Sequence, residues 1–447
     1  MNLRFNSSLS KVILKLSYPI IIGMVSRTLL SFMDTLMVGR LGAVAIASVG
    51  LGSITVWVVI FHFFALGTGT QIMTSRRYGE GNDRECGVVL NNALIFSIIA
   101  SVFIGTMFFV FSRNIFDFVS EDPLVYKYGS TYIRIRIFEV FSFTLISVFA
   151  GFYNGVGITR IHMYVMLIVN IMNIFLNYLL IFGKFGFPRL EVTGAAFAST
   201  ISTYLGVGVI IAISLRKKYR KRFLFLKKIK INLSILTALL KLSSPNALKN
   251  IFILSGYMIF LKIIGTLGTR ELAASTICLN LSSVSWMPAV GIGVATATLV
   301  GQSIGSKNNE LAERYSWESI KLSLAIMGTI GIIFIVFPKW IIEIFSSDSI
   351  VIQNGISVLR ILGVIQFFDA LGIILSSSLE GAGKTFFVGI SEIFFVWLIF
   401  LPLSYLLGIF LGFGIIGSWI GMIAYFIGFD TVLFLDFKKG NWKFYKL

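Results

Sequence analysis

Twelve times along this chain, a run of about twenty or more predominantly apolar residues is closed off by turn-forming or charged residues. A bilayer core offers no water to the peptide N–H and C=O groups. A segment long enough to cross it must therefore satisfy them internally, as a helix. Membrane-spanning helices are predicted over 13–39, 43–73, 87–112, 131–157, 161–183, 192–215, 236–264, 271–301, 317–338, 352–380, 385–408 and 412–435. Composition agrees: 56% of the 447 residues are hydrophobic and only 13% are charged, too few charges to cover a water-soluble domain of this size. The chain reads as an all-α polytopic membrane protein.

The formal charge of +18 would suit a nucleic-acid partner were it spread over a soluble surface. Instead it collects in loops, above all in "RKKYRKRFLFLKKIK" (Arg216–Lys230) and in the tail "FKKGNWKFYKL". Lys and Arg accumulate on the cytoplasmic side of membrane proteins and near anionic headgroups. That puts both termini in the cytoplasm, names membrane lipids as partners and argues against nucleic acid. Cys86 and Cys278 offer no metal-ligand spacing and no disulfide framework. No short apolar core with a small-residue cleavage site opens the chain, so the first span is expected to be retained. No phosphate-cradling GxxxxGK[ST] occurs and no hydrolytic constellation stands out. A transporter with this sequence would draw on an ion gradient or on its substrate's own gradient, and an enzyme is not expected.

The chain also repeats itself. "LKLSYP" (Leu14–Pro19) returns as "LKLSSP" (Leu240–Pro245), an offset of 226. The same offset relates Gly67 to Gly293, Thr70 to Thr296, Asn82 to Asn308, Arg134 to Arg360, and Gly155/Gly157 to Gly381/Gly383. This is a duplicated six-helix unit: an N-terminal lobe over 1–215, a basic cytoplasmic linker over 216–232 and a C-terminal lobe over 233–447. Six spans are an even number, so both copies enter the membrane from the same side. The two lobes are then expected to be related by a pseudo-twofold axis along the membrane normal, an arrangement common in carriers.

Polar side chains at membrane depth are the candidate functional groups, because an ionised group in lipid costs several kcal/mol. Asp34 lies well inside the first span and shares a helix face with Arg27 and Ser31. Ten ångströms of helix, roughly, separate Arg27 from Asp34, so each is expected to have other partners. Asn170, Asn173 and Asn177 stripe one face of the fifth span, as cation-binding carbonyls or as interhelical hydrogen bonds. In the tenth span Gln366, Asp369, Ser376 and Glu380 line one side, with Asp369 at mid-depth and Glu380 expected as a hydrated interfacial carboxylate. Lys249 and Lys262 are read as snorkelling to the interface, and His62 as a packing or hydrogen-bonding residue. Duplication does not carry the acids across, for Asp34 aligns with Phe260 and Asp369 with Phe143.

"MDTLMVGRLGAVAIASVGL", "ELAASTICLNLSSVSWMPAVGIGVATATLVGQSIGSKN" and "SLEGAGKT" together resemble the multidrug and toxic compound extrusion (MATE) transporters over essentially the whole chain. "NIFLNYLLIFGKFGFP" is most similar to their NorM-like branch. The resemblance implies a monomeric antiporter of the inner or plasma membrane that exports amphipathic, often cationic organic compounds. Its two lobes would form a V and alternate between outward- and inward-open forms. Na⁺ or H⁺ would be the coupling ion, and no other cofactor is implied. It assigns Asp34, Asn173, Asn177 and Ser199 to a cation-coupling set in the N-lobe, with Asp34, Asn173 and Asn177 as Na⁺ ligands, and Asp369 to the C-lobe, where Gln366 on the same helix face is the further candidate. Related NorM-like chains carry a helix 7 Glu where this chain has Ile253, which leaves the N-lobe set as the expected coupling site. A flippase for a lipid-linked saccharide is the second reading, with Arg27 and Lys249 as the cations for a pyrophosphate.

Overall fold

The structure, a computed structural model, describes residues 5–119, 122–227 and 231–445; residues 228–230 of the expected linker lie outside that set. Twelve of its helices are long and apolar enough to cross a membrane, at the twelve predicted places. The first copy of the repeat supplies α1 (Ser7–Gly39), α2 (Ala43–Gly79), α3 (Asp83–Val119), α4 (Pro123–Gly155), α5 (Arg160–Phe182) and α6 (Glu191–Leu215). A short basic helix, α7 (Lys217–Phe223), follows. The second copy supplies α8 (Leu233–Leu267), α9 (Thr269–Ser285) with α10 (Met287–Gly305), α11 (Asn309–Val336), α12 (Pro338–Glu343) and α13 (Ser349–Gly381). It closes with α14 (Thr385–Phe394), α15 (Leu401–Tyr405) and α16 (Gly414–Lys439).

Two single predicted spans are interrupted. The span 271–301 breaks into α9 and α10 at Trp286, where Pro288 can start a helix but not continue one. In the span 385–408, Phe395–Phe400 and Leu406–Phe410 widen into π-turns on either side of Pro402. A missing N–H inside a helix is commonly accommodated in this way.

The chain divides into two compact units, Ile22–Ser243 and Met1–Ile21 with Ser244–Leu447. The divisions fall inside α1 and α8, next to Pro19 and Pro245, rather than at the basic segment. In the first unit α4 is central and packs on α2, α3 and α6. In the second, α13 holds the equivalent place against α9, α10, α11 and α16.

The repeat extends to atomic detail. A Cβ on Gly155 would stand 2.8 Å from the Gln71 carbonyl, and one on its mate Gly381 would stand 2.5 Å from the carbonyl of Ala297, the mate of Gln71. Both positions need glycine for close helix approach. Asp122 caps α4 by accepting from the N–H groups of Leu124 and Val125, and its mate Asp348 caps α13 through Ile350 and Val351. Gly42 and Gly268, also mates, start α2 and α9 at φ 103° and 150°, a region closed to most side chains.

Outside the spans, α7 sets the Phe223 ring edge-on to Phe152 and brings the Phe223 carbonyl against Gly87. Arg222 on that helix pairs with Asp83 at 2.8 Å, and this hydrogen bond holds its guanidinium above the ordinary value.

Candidate functional site

The first unit gathers the N-lobe candidates into one polar cluster. α1 brings Asp34, α5 brings the Asn stripe, and α6 brings Ser199 and Ser202. Asn177 donates to Asp34 Oδ1 at 2.5 Å. Asn173 bridges the helices, accepting from Asn177 Nδ2 at 2.8 Å and donating to Ser199 Oγ at 3.1 Å. Asn170 donates to Ser26 Oγ at 2.9 Å. The amides thus make interhelical hydrogen bonds, and some carbonyl oxygens are left over. Asn170 Oδ1 and Asn177 Oδ1 are buried and make no hydrogen bond among the described residues. A buried amide oxygen without a donor is uncommon. The Asn177 oxygen, on the amide that holds Asp34, is of the kind a small hard cation accepts.

Arg27 does not touch Asp34. Its guanidinium lies over the rings of Trp57 (4.2 Å to the centroid), Phe143 (5.1 Å) and Phe64 (5.6 Å), a cation held by π faces. Phe143 is the repeat mate of Asp369, so one position neutralises a cation with a ring in one copy and offers a carboxylate in the other. The expected separation of Arg27 from Asp34 is thereby accounted for. Sequence reading passed over a further pair on α4: Arg136 bridges Glu139 at 2.5 Å and donates to the Tyr132 hydroxyl at 2.6 Å. Two opposite charges one turn apart inside a predicted span were the available signal. His62 donates through Nδ1 to the Val58 carbonyl, one turn back on its own helix.

In the second unit, Asp369 on α13 is half-buried. Gln366, one turn earlier, is fully buried, and neither atom of its amide finds a partner among the described residues. Lys249 does not snorkel to the interface and Glu380 is not simply hydrated. Lys249 Nζ stands 2.9 Å from Glu380 and 3.5 Å from Glu392, all three nearly buried. Burial explains the pairing: a lone ammonium or carboxylate there would be far costlier than the bridge. Lys262, by contrast, is exposed, as snorkelling requires. Two acids that sequence reading did not single out complete the picture, Glu392 on α14 and Asp430 on α16. Among Lys249, Asp369, Glu380, Glu392 and Asp430, carboxylates outnumber the cation by four to one. No group of three or more His, Cys, Asp or Glu able to hold a metal ion occurs among the described residues.

A twice-used family signature decides the identity. The MatE family model matches residues 19–179 and again 245–406, which reproduces the 226-residue offset. The chain belongs to the MatE family. Named relatives include a probable multidrug resistance protein NorM of Thermotoga maritima, 30% identical over 97% of this chain and 93% of its own length. A second, of the same description, from Photorhabdus laumondii is 31% identical over 96% of this chain and 95% of its own length. Among solved structures, a MATE in complex with MaL6 superposes with a TM-score of 0.88 at 24% identity, covering 96% of this chain and 95% of its own. Relatives of this kind support a multi-pass membrane protein of the MatE fold, with helices at the expected twelve places.

Proposed function

We propose that this MatE-family chain is a secondary active multidrug exporter. It would expel amphipathic, often cationic organic compounds by alternating access, in exchange for Na⁺ or H⁺. The observation that carries the reading is Asp34 held at membrane depth by the amide of Asn177, whose own oxygen has no donor among the described residues. The names of the Thermotoga and Photorhabdus relatives support the multidrug part. The proposed membrane is the inner or plasma membrane, with both termini cytoplasmic, the basic segments on that side and a monomer as the working unit.

Coupling follows from the cost of burying charge. An ionised Asp34 resists closure of the surrounding cavity, and either a small cation or a proton removes that resistance. An organic cation is a third way to neutralise an acid. If ion and cargo cannot be held together, entry of one down its gradient releases the other, provided the two conformations bind them with different affinity. Asp34, Asn173 and Asn177 would supply oxygens to Na⁺, with Ser199 positioning Asn173.

The flippase reading draws no support here. Its two cations are already engaged, Arg27 by three rings and Lys249 by two carboxylates.

The test is ethidium efflux from proteoliposomes under imposed Na⁺ or pH gradients, with wild type, Asp34→Asn and Asp369→Asn side by side. Wild type is expected to respond to one of the gradients, and Asp34→Asn to fall to the rate of empty liposomes while eluting as a folded protein. Wild-type efflux by Asp34→Asn would overturn the reading.

A further inference from the structure

The chain that follows α6 is held against the first unit at several points. Phe223 and Phe225 are buried, their rings 5.1 Å from Phe152 and 5.7 Å from Phe149, and Tyr219 meets Tyr153 at 5.9 Å. One face of α3 receives the same segment at successive turns. Asp83 takes Arg222 at 2.8 Å, and a Cβ on Gly87 would collide with the Phe223 carbonyl. Asn91 Oδ1 then accepts from the Leu226 N–H at 3.4 Å. A loose tether would need none of these contacts.

This seat fixes a row of cations with no acid to balance them. Arg216, Lys217, Lys218, Arg220 and Lys221 are all exposed. Among the described residues, Arg222 is the one α7 cation that has an ion pair. Apolar side chains stand beside the row, with Leu215 and Leu226 both exposed. The candidate span α6 ends at Leu215, just before α7 begins at Lys217. The cations therefore start at the level of the headgroups, where Lys and Arg meet lipid phosphate. Charge and exposed apolar groups side by side suit a lipid interface. A soluble polyanion would satisfy the charges and leave the leucines bare.

We propose that α7 is a docking surface for the headgroups of anionic phospholipids. Arg216, Lys217, Lys218, Arg220 and Lys221 bind the phosphates, while Leu215 and Leu226 rest at the acyl boundary. The two guanidinium groups can each take a phosphate through paired N–H donors, and the lysines act as point charges. Because α3 and α4 already hold the segment in place, little ordering is lost when lipid arrives. The proposal does not depend on the exporter reading, since it concerns the lipid around the chain and not its cargo.

The probes are phosphatidylglycerol, phosphatidylcholine and inorganic phosphate, each titrated into the purified full-length chain in mixed micelles of a non-ionic detergent. Native mass spectrometry counts bound lipid, and thermal unfolding follows its effect. Wild type is expected to prefer phosphatidylglycerol, and to bind it more weakly as salt rises. Each cation near an anionic surface is worth about fivefold in affinity. Replacing Lys217, Lys218, Arg220 and Lys221 together by Gln should therefore weaken phosphatidylglycerol binding at least about tenfold and leave phosphatidylcholine binding unchanged. Wild-type affinity for phosphatidylglycerol in that variant would overturn the proposal and leave the cations a role in orientation alone. Equal binding of the two lipids by wild type would overturn it as well. So would displacement of phosphatidylglycerol by inorganic phosphate at equal concentration, which would mark a site for the free anion. Should the fourfold variant fail to fold, Lys217→Gln with Lys218→Gln, and Arg220→Gln with Lys221→Gln, are measured as two double variants. Wild-type affinity in both would overturn the proposal.

Discussion

At the scale of single residues, this protein keeps charge in its membrane by three different devices. Asp34 is met by the Asn177 amide donor, Arg27 by aromatic faces, and Lys249 by two carboxylates. Their consequences under mutation differ. Removing the cation from the Lys249 bridge leaves Glu380 and Glu392 buried and facing one another. Lys249→Met is therefore expected to destabilise the protein by about 3–5 kcal/mol. The triple variant Lys249→Met, Glu380→Gln, Glu392→Gln should recover most of that loss, because no charge remains uncompensated. Thermal unfolding in detergent of the single and triple variants checks both expectations; equal losses would show that the bridge is valued for packing alone. Asp430, by contrast, is buried and makes no hydrogen bond among the described residues.

Helices pack here by a rule used twice. Gly155 and Gly381 lie where a central helix meets the backbone of a neighbour, at carbonyls of Gln71 and Ala297. Small residues at such crossings let helices approach closely, which matters in lipid, where no hydrophobic drive brings them together. Gly381→Val is expected to cost about 1–3 kcal/mol or more through overpacking, and Gly155→Val a similar amount, because the contacts are repeat mates. Gly105 on α3 has nothing within 4 Å of an added Cβ; Gly105→Ala should be neutral or stabilising by up to about 1 kcal/mol. Yield of monodisperse protein on size-exclusion after a heating series reads out all three. The twelve spans and these glycines were legible in the sequence because both signals are local: apolar length sets the helix, and a recurring glycine marks a recurring contact. The breaks at Trp286 and around Pro402 were marked only by prolines, which do not say whether a helix will bend, widen or stop.

On the scale of the whole molecule, the compact units do not coincide with the two copies of the sequence. Residues up to Ile21 belong with the second unit, and Leu233–Ser243 of α8 with the first. A chain cut in the basic segment, giving fragments 1–227 and 231–447, should therefore leave each fragment without a piece of its own unit. Each is expected to be unstable when expressed alone and to regain a monodisperse profile and ethidium efflux when the two are coexpressed. A first fragment that is stable by itself would show that Leu233–Ser243 contributes little to its unit.

The sequence by itself determined the solvent, the number of spans, the duplication and the presence of Asp34 with an asparagine stripe, because each depends on chain length, periodicity or a motif read in place. It also supplied the family resemblance that the twofold MatE match confirms. Only the tertiary structure decided which helix each buried charge meets. Periodicity gives the face on which Lys249, Arg27 or Asp430 points. Whether that face meets two carboxylates or three rings is set by packing between helices far apart in the chain, and in a membrane that packing decides how a buried charge is balanced.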